Sequence, residues 1–221
     1  MTPNATTSLL GSLRTAFRRA WRRLASALIT MWLRLKGVEV GTGCVFYGVP
    51  RTRIARGARI RLHDGVTIRS GGRSNPFSQG LPAVFAAALP GALIDVGEGA
   101  RLSSCVVVAD ITVQIGRATF VGAGSIVTDT DAHAVCAECR DAGRPANAAA
   151  VVVGERCFLG ARSIVLKGTR LGADCVVGAG SVVTGGDYAP ALLLVGVPAR
   201  ESGSSRCAEH VVDGSPGGPD A

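Results

Sequence analysis

Aliphatic residues recur at every sixth position between residues 153 and 184. The anchor positions are Val153, Leu159, Val165, Leu171, Val177 and Val183. A period of six matches neither the turn of an α-helix nor the alternation of an ordinary strand. It matches one flat face of a triangular coil, in which one aliphatic side chain per face points inward. Such hexapeptide repeats predict a parallel β-helix.

The same period returns in three shorter runs upstream. These runs are Ile54, Ile60 and Val66, then Val96, Leu102 and Val108, then Ile115, Val121 and Val127. Glycine and small residues suit the tight corners between faces, where a positive φ or a close backbone approach is needed. We therefore expect one solenoid domain over residues 38–200, in which each coil pairs its backbone with the next.

Two internal segments and the C-terminal end depart from the repeat. Residues 72–93 contain three prolines and predict an excursion from the coils. Residues 128–152 predict a loop near the active site, because a long insertion in a regular solenoid is more often functional than accidental. Residues 201–221 are rich in Gly, Ser and Pro and predict a disordered tail.

The N-terminal segment, residues 1–37, has a different pattern. Over residues 8–36 the apolar residues follow steps of three and four, which predicts one face of an amphipathic helix. This stripe consists of Leu10, Leu13, Phe17, Trp21, Leu24, Leu28, Met31 and Leu35. Its apolar run is too short for a transmembrane span. The helix either packs on its own protein or a partner subunit, or lies on an anionic membrane surface, where Trp and Arg are suitably placed.

Charge and composition narrow the class of protein. The net charge is +8, but residues 1–36 hold seven basic residues and no acidic one, while the rest has 17 basic against 16 acidic residues. We therefore expect no nucleic-acid partner. Aromatic residues make up only 5%, so the core is built from small aliphatic side chains. Seven scattered cysteines and no convincing secretory signal predict a reduced, cytoplasmic protein.

The sequence Asp-Thr-Asp-Ala-His at 129–133 is the strongest candidate for catalytic chemistry. A neutral imidazole at His133 can take a proton from a hydroxyl or amine nucleophile. Asp129 or Asp131 can fix its tautomer and stabilise the imidazolium that forms. The alternative is a solvated acidic turn with an incidental histidine, and spacing alone does not separate the two.

Other candidate chemistry is weaker. His63 is expected at a surface or corner position, and His210 lies in the predicted tail. His133, Cys136 and Cys139 have ligand-like spacing, but one CxxC with one histidine lacks the fourth ligand of a structural zinc site. No metal is therefore expected. Cys136 as a covalent nucleophile has no independent support.

The repeat at 153–184, the Asp-Thr-Asp-Ala-His segment with its loop, and Gly-Val-Pro-Ala-Arg at 196–200 together resemble the hexapeptide-repeat acyltransferases. The closest resemblance, over about residues 38–200, is to O-acetyltransferases of bacterial polysaccharide and lipopolysaccharide assembly and to galactoside and maltose acetyltransferases. It implies an all-β, left-handed parallel β-helix with an N-terminal α-helix and an excursion loop. The handedness comes from the resemblance alone, since the general rule for parallel crossovers predicts the opposite hand.

The resemblance also implies a homotrimer that binds acetyl-CoA, as co-substrate, between adjacent prisms, with His133 as the catalytic base. The positions that match the CoA contacts of the family are Ala161, Lys167, Ala179, Thr184 and Arg200. One departure is Gly185, where the family often has Lys. Arg140 and Arg144 are candidates for contacting an anionic acceptor, with plain solvation as the alternative.

The expected function is an acetyl-CoA-dependent O-acetyltransferase that acts on a sugar hydroxyl in surface polysaccharide assembly. The acceptor would be a sugar or a lipid-linked glycan, and residues 8–36 suit peripheral contact with the inner membrane. Two alternatives keep the fold and change the acceptor: an N-acetyltransferase on a nucleotide-linked amino sugar, and a serine acetyltransferase. A third is a non-catalytic β-helix scaffold.

Overall fold

The computed structural model describes residues 5–71 and 75–205, with side chains described from Thr15 onward. Helix α1 (Ala5–Leu35) comes first, and short strands then wind repeatedly around three flat sheets. Two short helices lie between strands: the 3-10 helix η1 (Pro76–Ser78) and helix α2 (Ala137–Asp141). His210 lies outside the described residues.

Each of the first six coils contributes one strand to each of the three sheets, in the order A, B, C, and the last coil contributes none to sheet C. Sheet A contains β1 (Val38–Val40), β4 (Arg59–Leu62), β7 (Leu93–Val96), β10 (Thr112–Ile115), β13 (Val151–Val153), β16 (Thr169–Leu171) and β19 (Gly186–Tyr188). Sheet B contains β2 (Val45–Tyr47), β5 (Thr67–Arg69), β8 (Arg101–Ser103), β11 (Phe120–Val121), β14 (Phe158–Leu159), β17 (Val176–Val177), β20 (Leu192–Gly196) and β21 (Ala199–Ser204). Sheet C contains β3 (Arg51–Ile54), β6 (Val84–Ala87), β9 (Val106–Ala109), β12 (Ile126–Thr128), β15 (Ile164–Val165) and β18 (Val182–Val183).

The inward-facing anchors stack directly on one another in the regular part of the solenoid. Val153 pairs with Leu171, Leu159 with Val177, and Val165 with Val183, and all six are buried. Strand pairing is parallel throughout except between β20 and β21. The predicted fold class, a left-handed parallel β-helix with an N-terminal helix and an excursion, is confirmed.

Glycine follows four of the six anchors between Val153 and Val183, and the distance between coils explains it. A Cβ atom at Gly160 would lie 2.6 Å from the backbone nitrogen of Ala179 in the next coil, and one at Gly154 would lie 2.6 Å from Gly172. No side chain fits there without moving the backbone. The second position of the six-residue block is therefore restricted to glycine where a corner stacks on another corner.

The predicted period is wrong at one anchor, Val108. This residue is half-buried, whereas Val107 and Ala109 are fully buried. Only residues 104–105 join β8 to β9, whereas residues 160–163 join β14 to β15. The shorter corner shifts the inward positions of β9 by one residue. Ile54, another predicted anchor, is half-buried and packs at the edge of the core.

The predicted excursion at 72–93 and the predicted tail at 201–221 are both too long. Strand β6 pairs with β3 and β9 in sheet C, so the interruption ends before Val84. The prolines at both ends of β6 concealed this strand. At the C-terminus, β21 forms an antiparallel pair with β20, which orders the chain as far as Ser204. Residues 206–221 lie outside the described residues.

Helix α1 covers the open end of the first coil with its C-terminal half. Leu33 is fully buried, and the Ser26 hydroxyl accepts a hydrogen bond from the Phe46 backbone N–H at 3.1 Å. The helix ends before Gly37, which has a φ of 87°. The helix lies over β1 and β2 and so covers a sheet edge that would otherwise be open at this end. The predicted residues 8–36 thus match α1 closely.

The predicted apolar stripe of α1 is exposed along its described length. Phe17 is 71% exposed, Trp21 64% and Leu35 80%, and Leu24, Leu28 and Met31 are also exposed. Among the described residues, nothing covers these side chains, which favours a partner subunit or a membrane surface as their contact. The side chains of Leu10 and Leu13 lie outside the described residues. In the described part of the chain, no helix is both long and apolar enough to cross a membrane.

Candidate active site

The candidate residues collect along two edges of the triangular solenoid. At the C/A edge each coil passes from sheet C to sheet A, and the insertion at residues 129–150 leaves from this edge between β12 and β13. Lys167 and Thr184 follow β15 and β18 and occupy the same edge in the next two coils. At the B/C edge, Ala161 follows β14 and Ala179 follows β17.

The insertion is closed at its base by backbone contacts. The Asp131 N–H donates to the Asn147 carbonyl at 3.0 Å, and Thr130 forms an antiparallel bridge with Ala148. The Ala149 N–H donates to the carbonyl of Asp129 at 2.8 Å. The part beyond this base, residues 132–146, carries His133 and helix α2. We call it the tip.

Asp129 is fully buried and its carboxylate holds the preceding coil together. The carboxylate accepts hydrogen bonds from the backbone N–H groups of Asp110, Ile111 and Thr112 at 2.7, 2.8 and 2.6 Å. These three groups form the turn between β9 and β10. The contacts of Asp129 are thus structural, and no hydrogen bond joins it to His133 in this chain.

Asp131 binds Lys167 instead of His133. The Lys167 Nζ lies 2.7 Å from Asp131 Oδ1, which ties the insertion to the next coil. Asp131 Oδ2 is buried and has no hydrogen-bond partner among the described residues. An unsatisfied buried carboxylate oxygen is costly. It is therefore an acceptor that a donor from a substrate or a protein side chain can satisfy at the C/A edge.

His133 lies exposed at the start of the tip. Its imidazole makes no hydrogen bond or ion pair with any described residue. The chain turns outward just before it, because Ala132 has a φ of 61° and its N–H donates to the Thr130 hydroxyl at 3.1 Å. Ala134, on the other side, is buried and fixes the end of the turn. The ring nitrogens are therefore accessible to a substrate.

The two candidate arginines of the tip differ in their contacts. The Arg140 guanidinium donates to the carbonyls of Ala134 at 3.1 Å and Val135 at 2.5 Å, so it holds the backbone that follows His133. Arg144 is exposed, and its guanidinium has no hydrogen-bond partner among the described residues. Of the two, Arg144 is the one whose charge is available to an acceptor.

The residues matched to CoA contacts do not form one cluster in a single chain. The Gly180 N–H donates to the Ala161 carbonyl at 2.9 Å, so Ala161 and Ala179 are stacked on the B/C edge. Thr184, whose carbonyl accepts from the Tyr188 hydroxyl at 3.0 Å, lies on the C/A edge. Arg200 is exposed on β21. Sheet C separates the two edges.

The glycine that replaces the family's lysine has a structural reason. A Cβ atom at Gly185 would lie 2.9 Å from the carbonyl oxygen of Lys167. A side chain at this position would require a backbone shift. A lysine at 185 is therefore disfavoured in this chain, and any cationic contact must come from another residue.

The outward faces of the three sheets differ in polarity, which the sequence pattern did not predict. Sheet A carries ion pairs, including Arg61 with Glu39 at 2.8 Å and His63 with Asp95 at 3.0 Å, so His63 is a surface residue as expected. Sheet B carries Phe120 and Phe158, paired in register and 44% and 48% exposed.

Sheet C completes this apolar surface. Ile126, Ile164 and Val182 are paired in register along its outward side. One sequence signal was present, because a phenylalanine directly precedes two of the inward anchors. Among the described residues, no group of three or more His, Cys, Asp or Glu could hold a metal ion.

Comparisons with known proteins agree with the repeat and the fold. Residues 150–185 match the family model of the hexapeptide repeat of succinyl-transferase. No curated protein sequence matches this chain. A maltose O-acetyltransferase from Clostridium difficile 630 is 28% identical, with a TM-score of 0.46 over 50% of this chain and 58% of that one. The match thus spans less than two thirds of that relative.

Two further solved structures are more similar in overall shape. A polysialic acid O-acetyltransferase has a TM-score of 0.60 at 18% identity, over 80% of both chains. A mutant of AntD, an N-acyltransferase from Bacillus cereus in complex with dTDP and coenzyme A, has a TM-score of 0.60 at 13% identity, over 80% of this chain and 89% of that one. At these identities the similarity establishes the fold alone.

The contacts of the two aspartates predict that their removal lowers stability by unequal amounts. Asp129→Ala should lower the free energy of unfolding by at least about 3 kcal/mol, because three backbone N–H groups lose a buried, charged acceptor. Asp131→Ala should lower it by less than about 1 kcal/mol, since its ion pair with Lys167 is partly exposed. Urea denaturation measures both. Equal losses for the two variants would contradict the structural role of Asp129.

Proposed function

We propose that this chain, a parallel β-helix built of hexapeptide repeats, is an acetyl-CoA-dependent O-acetyltransferase that acts on a sugar hydroxyl, with His133 as general base. The observation that carries the proposal is the exposed, unpartnered imidazole of His133, on an insertion at one edge of the solenoid. The matched hexapeptide repeat and the shared fold with an O-acetyltransferase of a polysaccharide support it.

The proposed reaction is a direct transfer. The acceptor hydroxyl lies against His133, and the imidazole takes its proton as the oxygen attacks the thioester carbonyl. A backbone N–H at a coil corner stabilises the oxyanion of the tetrahedral intermediate. The intermediate then expels the CoA thiolate, which takes the proton from the imidazolium. No acyl-enzyme forms, so the tip needs no nucleophilic side chain.

The acceptor is proposed to be a sugar or a lipid-linked glycan of surface polysaccharide assembly, and Arg144 supplies a charge for an anionic group on it. Asp131 Oδ2 is available either to an acceptor hydroxyl or to the imidazole. Ala161 and Ala179 leave room for the pantetheine at the B/C edge because their side chains are small. Thr184, Lys167 and Arg200 are the remaining proposed CoA contacts.

Removing the imidazole should abolish most of the activity. We expect His133→Ala to lower kcat for acceptor-dependent CoA release by about 10²–10⁴-fold, which is the usual contribution of a general base. His63→Ala is the matched control, because His63 lies on the charged outward face of sheet A. The assay uses acetyl-CoA with a panel of sugars, nucleotide-linked amino sugars and serine.

The outcome of this assay separates the alternatives. Release with a sugar that requires His133 supports the proposal. A preference for an amine acceptor would favour N-acetyltransfer, and unchanged release by His133→Ala would contradict the role of His133. Absence of acetyl-CoA binding by calorimetry would favour the scaffold interpretation.

We infer further that the protein works as a homotrimer in which sheet C of one protomer packs against sheet B of the next. The apolar outward side chains lie on these two sheets, and sheet A carries the ion pairs. In a three-fold ring each contact joins two different surfaces of the same chain. This arrangement places the insertion of one protomer beside the Phe158 face of its neighbour, which ends at Ala161 and Ala179.

A charge on this face should dissociate the trimer. Phe158→Glu is expected to raise the dissociation constant at least about 100-fold, since a carboxylate would be buried without a partner. Val152→Glu places the same group on the outward side of sheet A and should leave the trimer intact. Sedimentation equilibrium measures the mass of each variant. A trimeric Phe158→Glu protein, or a monomeric wild type, would contradict the packing.

The exposed stripe of α1 is proposed to bind the anionic inner surface of the cytoplasmic membrane. The stripe combines aromatic and aliphatic side chains, and Arg18, Arg19, Arg22 and Arg23 flank it on a segment that has no acidic residue. This is the composition of a helix that lies in a membrane interface. The Arg22 guanidinium stacks over Tyr47 at 4.7 Å, which ties this basic side to the first coil.

A groove beside α1 also has features that favour binding to an anionic membrane. It has a volume of about 1020 Å³, lies between α1 and the first coil, and is lined in part by Arg19, Arg22, Arg23 and Arg34. The Arg34 guanidinium is held by the carbonyl of Val40 at 2.6 Å. The groove is thus a basic cleft next to an apolar stripe. That combination fits a phosphate head group with its acyl chains.

Vesicle binding should depend on both charge and the stripe. The wild type should sediment with vesicles that contain phosphatidylglycerol and not with pure phosphatidylcholine. Trp21→Ser should weaken this binding about tenfold by removing buried apolar area. Trp32→Ser, which removes the same side chain from beside the stripe, is the control. If Trp21→Ser instead dissociates the trimer and no vesicle binds, the stripe is a subunit contact and the membrane proposal fails.

A further inference from the structure

The tip contains a pair of cysteines that the proposed acetyl transfer does not use. Cys136 is the N-cap residue of α2, and Cys139 lies in the first turn of that helix. The two Sγ atoms are 2.6 Å apart, and the Cys139 N–H donates to the Cys136 sulfur at 3.1 Å. Because a disulfide bond has an S–S distance of about 2.05 Å, little movement separates this contact from a covalent bond.

The remaining described cysteines have a different environment. Cys44, Cys105, Cys157 and Cys175 are all buried in the solenoid. Burial raises the pKa of the Cys105 thiol to about 12 and that of Cys157 to about 11, so neither forms a thiolate readily. In contrast, Cys136 is exposed and Cys139 is partly exposed. Solvent oxidants can therefore reach only the pair on the tip among these six residues.

We propose that Cys136 and Cys139 form a reversible dithiol–disulfide couple that clamps the tip. Cys136 is the more exposed sulfur and reacts first, and Cys139 resolves the mixed disulfide. Transient disulfides of this kind are the form that occurs in reducing compartments, and CxxC is the spacing that supports them.

The oxidant is a low-molecular-weight disulfide such as oxidised glutathione. The Cys136 thiolate attacks one sulfur of that disulfide, breaks its S–S bond and releases one small thiolate. Cys139 then loses its proton and attacks Cys136 Sγ, which forms the protein disulfide and releases the second small thiolate. Two electrons pass from the dithiol to the oxidant, and the two thiol protons pass to the two released thiolates.

The clamp acts on the segment that carries His133. Arg140 lies one residue after Cys139, and its guanidinium already holds the carbonyls of Ala134 and Val135. The Arg144 N–H donates to the Cys139 carbonyl at 2.9 Å. A covalent bond across Cys136 and Cys139 therefore restricts the backbone on both sides of α2. The effect of this disulfide on acetyl transfer rests on the proposed function, whereas the formation of the disulfide does not.

Mass spectrometry of one tryptic peptide tests the couple. Residues 118–140 contain both cysteines of the tip, no other cysteine, and no internal Lys or Arg. The reduced full-length chain is equilibrated in glutathione buffers of increasing oxidised fraction, quenched with acid, unfolded, alkylated and digested. The peptide should change from doubly alkylated to unalkylated and lighter by two hydrogen atoms, and reduction should reverse the change.

Two controls make the result specific. Cys157, on its own tryptic peptide at residues 157–162, should remain fully alkylated in every buffer. The Cys136→Ser variant should show no intramolecular bond. If peptide 118–140 stays doubly alkylated in every buffer, or carries two glutathione groups and no internal bond, the couple does not exist.

Native proteolysis tests the clamp. Trypsin should cleave the folded, oxidised protein after Arg140, in α2, about tenfold more slowly than the reduced protein, the order expected for closing a four-residue ring. In Cys136→Ser the rate should not depend on the glutathione buffer. Equal rates for the oxidised and reduced wild type would overturn the clamp. Neither readout requires acyl transfer, so a failure here is distinct from a failure of the proposed function.

Discussion

The stacking of one coil on the next is the constraint from which the rest of the structure follows. Each coil must present one strand to each sheet in register with its neighbour, as Leu159 does with Val177. Glycines such as Gly160 keep the corners close enough for this pairing. Extra residues can therefore enter only at an edge, between two strands. The insertion that carries His133 leaves the solenoid at such a point, and its base is closed by strand-like pairing.

Where one inward side chain per face determines the register, the strands could be predicted from the sequence alone. The anchors from Val153 to Val183 were predicted in the correct register, because burial and spacing give the same answer there. The prediction was wrong at Val108, because the length of the preceding corner is set by backbone geometry that the anchor pattern does not encode. Strand β6 was missed because prolines at its flanks hid it within a predicted excursion.

The candidate site was only partly predictable, because local spacing does not show which groups a buried carboxylate will meet. Asp129 precedes His133 by four residues, yet it binds three backbone N–H groups of the previous coil. Asp131 pairs with Lys167, which is distant in sequence and adjacent in the stack. Long-range contacts of this kind follow from the register of the coils. The outward faces were missed for the same reason, since their pairing is visible only in the folded solenoid.

The central claim is that an active site forms between the His133 insertion of one protomer and the B/C edge of the next. Co-expression of His133→Ala with Ala179→Trp, followed by isolation of mixed trimers and an assay of acetyl transfer, tests it most directly. Each variant alone should be inactive. Random mixing should restore about one quarter of wild-type activity, because that share of interfaces combines an intact His133 with an intact Ala179. No recovery in mixed trimers would contradict the claim and place the whole site within one chain.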